Sequence, residues 1–140
     1  SFMAPLFTDL LANTEAGLRR ALRLLMKPGF ANRFLVQKRA SVFCLAWLGV
    51  ALRYRRVVFC GVDMTNSRYF YEEDEFAERY QIYNVFTDNS VPHRTIDAQL
   101  GMPLNIALAS LVAESPFTEF FTSSEKSRLA EFLPVWRFQL

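Results

Sequence analysis

Residues 56–71, Arg56-Val-Val-Phe-Cys-Gly-Val-Asp-Met-Thr-Asn-Ser-Arg-Tyr-Phe-Tyr71, decide how the chain is read. Val57-Val58-Phe59-Cys60 predicts a buried strand that runs into Gly61 and then a loop opening at Asp63. A continuous apolar run of this length is what a central parallel strand looks like, because helices cover both of its faces. In open α/β sheets ligands sit beyond the carboxyl ends of such strands. Asp63, Thr65, Asn66, Tyr69 and Tyr71 are therefore the candidates for a site on that rim.

The flanking segments agree with an α/β reading. Upstream, Ser41 is expected to cap a helix, SVFCLAWLGVAL, apolar on nearly every face and hence buried. Arg53-Tyr54-Arg55-Arg56 ends it and leads straight into the strand, which makes half of a βαβ unit. Residues 30–40 read as a basic connector carrying Arg33, Lys38 and Arg39. Before it, Thr8 is expected to cap an amphipathic helix reaching Leu25-Met26, with Leu11, Leu18, Ala21, Leu22 and Leu25 at helical spacing. Lys27-Pro28-Gly29 stops that helix. Its cationic side, Arg19, Arg20 and Arg23, reads as a solvated face or as a membrane-surface contact.

Downstream, residues 65–97 show no clear period and read as a lid-like segment, with a short acidic helix over 72–80. Residues 102–114 predict a helix with Pro103 near its first turn. Residues 117–122 predict a strand, and Ser123 or Ser124 is expected to cap a last helix over 125–132, closed by Leu133-Pro134. The expected architecture is one α/β domain over 1–140, a partial Rossmann-like parallel sheet flanked by helices, with the N-terminal amphipathic helix in 1–29.

Composition fits a packed domain: 51% of the residues are apolar and 21% charged, which excludes a disordered chain. The charge is uneven. Residues 1–60 hold ten Lys/Arg against two acids, and residues 61–140 hold six against twelve, so about +8 faces −6. The basic half could meet phosphates, an anionic membrane or its own acidic half. No nucleic-acid motif supports a nucleic-acid partner. Cys44 and Cys60 lie in apolar runs without metal-ligand spacing and read as reduced core residues. No apolar run is long enough to span a membrane, and no signal-peptide pattern opens the chain. The expected location is the cytoplasm, with the periphery of the inner membrane as an extension of it.

Few residues here carry chemistry by type. His93, the single histidine, lies in a polar loop, where it can act as a general base near neutral pH. A surface histidine without chemistry is the alternative. Tyr69, Phe70 and Tyr71 serve packing, or offer hydroxyls to a phosphate without adding charge. Ser41 opens a helix whose free amides favour an anion, with Lys38 and Arg39 just before it; capping explains that serine as well. No Ser-His-Asp set, P-loop or zinc pattern occurs.

Taken together, Ser41-Val-Phe-Cys-Leu-Ala-Trp-Leu-Gly-Val-Ala-Leu-Arg-Tyr54 and the following VVFCGVD resemble the second half of bacterial sialyltransferases that decorate lipooligosaccharide. There a serine opens an apolar helix ending in an Ala-Leu-Gly-Tyr-like turn, and a strand ending in Gly-Ile-Asp follows. A tyrosine-bearing loop, a lid and a histidine before the next helix come after it. Here Arg53 replaces the glycine of the turn. The tail, Phe121-Thr-Ser-Ser-Glu-Lys-Ser-Arg-Leu-Ala-Glu-Phe-Leu-Pro134, is similar to the family's closing strand and helix. The resemblance covers residues 38–136.

It implies transfer of a sugar, sialic acid or a relative, from a cytidine-monophosphate donor to a surface glycan, without metal or cofactor. His93 would match the general base and Ser41 a donor-contacting serine. Tyr71, or Tyr69 if the loop is shifted, would match a tyrosine that steadies the leaving phosphate. The earlier of the family's two tyrosines falls on Thr65, and Asp63 ends the strand motif beside the donor. The family's Gly-Asn-Gly-Pro-Ser-like nucleotide loop has no counterpart before Ser41. Non-catalytic retention of the fold, as a fragment or interaction module, is therefore the alternative expectation, and a basic protein peripheral to an anionic membrane is another. Assembly with further copies of the chain is the remaining partner expectation.

Overall fold

A computed structural model describes residues 4–7, 14–29, 33–62, 64, 95–96 and 98–137. The chain is a small α/β protein whose helices pack against parallel strand pairs. Strand β1 (Ala4–Phe7) leads to helix α1 (Glu15–Leu25), strand β2 (Phe34–Gln37), helix α2 (Ser41–Ala51) and strand β3 (Arg56–Phe59). A 3-10 turn (Ala98–Leu100), helix α3 (Leu104–Ala113), strand β4 (Glu119–Thr122) and a 3-10 turn (Arg128–Glu131) complete the described elements. β1 pairs in parallel with β2, and β3 in parallel with β4, with Val57 opposite Phe120 and Phe59 opposite Thr122. Parallel pairing requires a crossover between the paired strands, and α1 and α3 lie in those two crossovers.

Helix α2 sits among these elements, against β2, β3 and α3. Phe43, Ala46, Trp47, Gly49 and Ala51 are buried, and the Trp47 indole N–H donates to the Phe34 carbonyl at 2.7 Å, which satisfies the one polar atom that a buried tryptophan brings. The helix is not buried all round, because Leu45 is 64% exposed. Leu18 and Leu22 of α1, Val36 of β2, Leu104, Ala107, Leu108 and Leu111 of α3, and Phe120 of β4 join one apolar cluster with it. On the far side of β4, residues 134–136 add a short extension. Thr122 N–H donates to Pro134 O at 3.1 Å, Trp136 N–H donates to Thr122 O at 2.7 Å, and the Trp136 ring meets Phe121 edge-on and lies under the Arg56 guanidinium.

Several expectations are revised. Residues 34–37 form β2 inside what reads as a basic connector, and Lys38, at its end, is 1% exposed. Helix α1 is capped by Thr14, whose hydroxyl accepts from Gly17 N–H at 3.2 Å; Thr8 lies outside the described residues. Ala40, with no side-chain bond, is the cap of α2, and Ser41 is its first helical residue. Pro103 takes the cap position of α3, next to its first turn as the sequence reading has it. Ser127 caps the last turn by accepting from Leu129 N–H at 3.1 Å, and that turn is a 3-10 segment over 128–131, not an α-helix over 125–132. In β3 only Phe59 is buried and Arg56 is exposed, so this strand is less enclosed than its apolar sequence implies. Cys60 is exposed just past its end, whereas Cys44 is half-buried and burial pushes its thiol pKa up. The expected helix over 72–80 and most of the lid-like segment lie outside the described residues. No described helix is long and apolar enough to cross a membrane.

Two backbone positions carry much of the local geometry. Helix α2 ends in a Schellman turn: Arg53 N–H donates to Val50 O at 3.0 Å and Tyr54 N–H to Gly49 O at 2.9 Å, with Arg53 at φ +58°. Glycine is the usual residue at that left-handed position, because a Cβ is strained there. Gly49 itself faces β3: a Cβ placed on it would stand 2.6 Å from Val57 Cγ2. Valine is stiff at χ1 and cannot swing aside.

Two consequences follow for stability. Gly49→Ala gains helix propensity of about 1 kcal/mol, yet overpacking costs about 1–3 kcal/mol, so we expect a net lower denaturation midpoint. In a double-mutant cycle Val57→Ala should cancel part of that loss; strictly additive effects would disprove the close approach. Arg53→Gly relieves the left-handed strain of about 1 kcal/mol and is expected to raise the midpoint in urea without changing the slope. A fall would show that the arginine side chain compensates for its backbone.

Candidate functional site

The carboxyl ends of β2, β3 and β4 lead into three loops, and these define the candidate site. After β2 the backbone turns tightly: Ala40 N–H donates to Lys38 O at 2.6 Å, and Arg39 takes φ +57°. The turn aims the chain into α2 and leaves Ser41 exposed. Among the described residues the Ser41 hydroxyl makes no hydrogen bond, and the first-turn amides of Ser41 and Val42 have no helical carbonyl to bind. These amides and the helix dipole make the start of α2 electropositive.

The cations beside it are committed in part. Lys38 is buried and engaged within the protein. Arg39 reaches across to the start of α3, where its Nη1 donates to Gly101 O at 3.2 Å and Met102 O at 3.4 Å. The residues that follow His93 are anchored there too: Leu104 N–H donates to Thr95 O at 2.7 Å, and Ile96 is buried with Met102 in the core. Arg39 thus ties the turn that presents Ser41 to the segment that follows His93, two residues before Thr95.

The loops after β3 and β4 are buckled together. Ser123 N–H donates to Phe59 O at 2.9 Å, and the Ser127 hydroxyl donates to Val62 O at 2.5 Å. Met64, at φ +55°, is buried in the core, so the chain past Gly61 turns back onto the protein before the tyrosine-bearing segment begins. Beyond β4 a shallow concavity of about 500 Å³ is lined by Glu125, Lys126, Ser127, Arg128, Ala130 and Glu131. Its charges balance, with Arg128 3.6 Å from Glu131, so it offers no field for an anion.

Of the residues proposed from sequence, Ser41 stands on the described rim; Asp63, Thr65, Tyr69, Tyr71 and His93 lie outside the described residues. The sequence reading missed Arg39 as the brace between the α2 turn and α3, and Ser127 as the latch on the strand-end loop. Spacing gives no warning of either, because each partner is a backbone carbonyl about 62 or 65 residues away. No group of three His, Cys, Asp or Glu among the described residues is placed to hold a metal. Compared with protein-family models, with curated proteins and with solved structures, the chain matches none.

Because Ser41 is exposed and is not the cap, Ser41→Ala is expected to leave the unfolding free energy within about 0.5 kcal/mol. Thr14→Ala, which removes a capping oxygen, should cost about 1 kcal/mol. Chemical denaturation of both variants separates the two roles: a loss at Ser41 as large as that at Thr14 would make Ser41 structural.

Proposed function

We propose that the chain is a glycosyltransferase-like domain of the lipooligosaccharide-sialyltransferase type, built on a partial Rossmann-like arrangement, with CMP-activated sialic acid or a related sugar as donor. The observation that carries this reading is the exposed, unbonded hydroxyl of Ser41 at the electropositive start of α2, where the resemblance calls for a donor-contacting serine. Two others support it. The left-handed Arg53 occupies the position at which the family's turn carries glycine. β3 and β4 are parallel neighbours although residues 60–118 separate them, so the loop that begins at Gly61 opens at the carboxyl edge of a parallel pair, where α/β proteins bind ligands.

In this reading the acceptor hydroxyl attacks the anomeric carbon of the donor sugar. The bond from that carbon to the phosphate oxygen breaks, and CMP leaves with the electron pair. His93 accepts the hydroxyl proton as the new glycosidic bond forms. A phosphate leaving group carries its charge away without a metal if hydrogen-bond donors meet it. The first-turn amides of α2 and the hydroxyls of Ser41, Thr65, Tyr69 and Tyr71 are the donors proposed, with Asp63 at the strand end beside the nucleotide. The acceptor is a surface glycan.

Thermal unfolding with and without CMP tests donor binding. A ligand that binds only the folded state stabilises it by about 2.7 kcal/mol at a hundredfold excess over its dissociation constant. A midpoint that rises with CMP but not with AMP, and rises less in Ser41→Ala, is the expected result. His93→Ala should then abolish transfer while keeping the CMP shift. No CMP response would assign the chain to a non-catalytic module that shares the fold.

A further inference from the structure

The opposite end of the molecule presents a groove of about 1000 Å³. Its lining comes from the carboxyl ends of α1 and α2, the residues that follow them and the α3–β4 turn, including Lys27, Leu52, Arg53 and Phe117. Leu52 and Arg53 come just before β3, and Phe117 just before β4, so the groove lies at the amino edge of that pair, away from the rim described above. Two apolar side chains stand out of it into solvent: Phe117 is 88% and Leu52 54% exposed. Isolated exposed apolar residues are ordinary, but an aromatic at this exposure beside a leucine and an open groove marks an interaction surface.

The net charge of the groove lining is positive. Its single acid among the described lining residues is Glu114, and that carboxylate is occupied: Arg23 Nε lies 2.6 Å from Oε2 and Nη2 2.9 Å from Oε1. The same bidentate pair holds the Glu114 pKa below the usual carboxylate range and neutralises an acid at a helix carboxyl end, where it would otherwise be unfavourable. Lys27 and Arg53 remain, both exposed, each one residue past a helix cap. A helix end carries about half a negative charge, so each full cation outweighs the end it follows. Arg55 is exposed two residues further on.

We infer that this face docks on an anionic phospholipid bilayer, with Phe117 and Leu52 entering the headgroup region and Lys27, Arg53 and Arg55 meeting lipid phosphates. Protruding apolar side chains ringed by cations suit an interface whose centre is apolar and whose surface is anionic. A second copy of the chain suits it less, because an isologous contact would set this cation-bearing patch against the same patch of the other copy. The docking stands independently of sugar transfer, and it leaves the Ser41 rim facing away from the membrane.

Co-sedimentation of the full 140-residue chain with vesicles tests the assignment. Vesicles of phosphatidylcholine with about 30% phosphatidylserine should retain the protein at low salt, and release it as salt shortens the range of surface charge. Pure phosphatidylcholine should bind at least tenfold more weakly. Lys27→Glu with Arg53→Glu should cost at least tenfold in anionic-vesicle affinity, since each basic residue near the surface contributes several-fold. Phe117→Ser, at an exposed position that leaves the fold intact by circular dichroism, should weaken binding several-fold without removing its salt dependence. Absence of vesicle binding, or binding that both variants leave unchanged, would overturn the assignment. So would a concentration-dependent dimer, in the absence of lipid, that Phe117→Ser dissolves.

Discussion

The approach of helix α2 to strand β3 is the constraint on which the rest of the structure depends. Gly49 allows the helix backbone to come so close that a single methyl would meet Val57 Cγ2 at 2.6 Å. At this distance the two elements cannot slide independently, because packed interiors do not deform continuously. The approach fixes where α2 ends, and the Schellman turn at Arg53 then delivers the chain into β3 within three residues. It also fixes where α2 begins. Trp47, anchored by its indole N–H to Phe34, sets the helix against β2, and the β2–α2 turn must close within Lys38–Ala40. Ser41 is exposed as a result of that closure.

The two ends of the molecule follow from the same arrangement and differ in chemistry. At the carboxyl ends of the strands the chain enters α2 and α3 through their amino ends, so unpaired amides gather there. At the amino ends of β3 and β4, helices α1, α2 and α3 terminate, and the carbonyl ends of their dipoles gather instead. Lys27, Arg53 and the Arg23–Glu114 pair are placed where those carbonyls would otherwise leave the surface negative. Polarity along the helix axes thus separates an anion-favouring rim from a cation-bearing groove, with the apolar core between them.

Legibility in the sequence tracked how much each element depends on its own residues. β3, β4, α2 and α3 are dense in apolar side chains, and their positions were readable to within a few residues. β2 was hidden because Phe34-Leu-Val-Gln37 lies between Arg33 and Lys38-Arg39, and three cations in seven residues suggest solvent. The structure instead buries Lys38, which no local pattern announces. Thr8 is the cap that the sequence reading names for α1, whereas the structure caps it with Thr14, which has the Gly17 amide three residues on to bind. Cys60 was assigned to the core from its apolar neighbours, yet the strand ends at Phe59 and the thiol faces outward. Among the described residues the proposed site is represented by Ser41, which is the first helical residue of α2 and not its cap.

Residue 53 takes a backbone conformation that runs against its own local preference. The backbone there is one that glycine adopts cheaply, and the chain adopts it, at φ +58°, with an arginine. An L-residue in that conformation costs about 1–2 kcal/mol, so the turn is retained against its local preference. What retains it lies on both sides: Gly49, whose carbonyl accepts the Tyr54 amide, is pinned against Val57, and Thr118 donates to Tyr54 O at 3.0 Å, fixing the residue after the turn to the start of β4. The arginine gives the groove a full positive charge next to Leu52. The strain is local, whereas the charge faces outward, and this is the kind of site where a chain departs from its local rule for the sake of a surface.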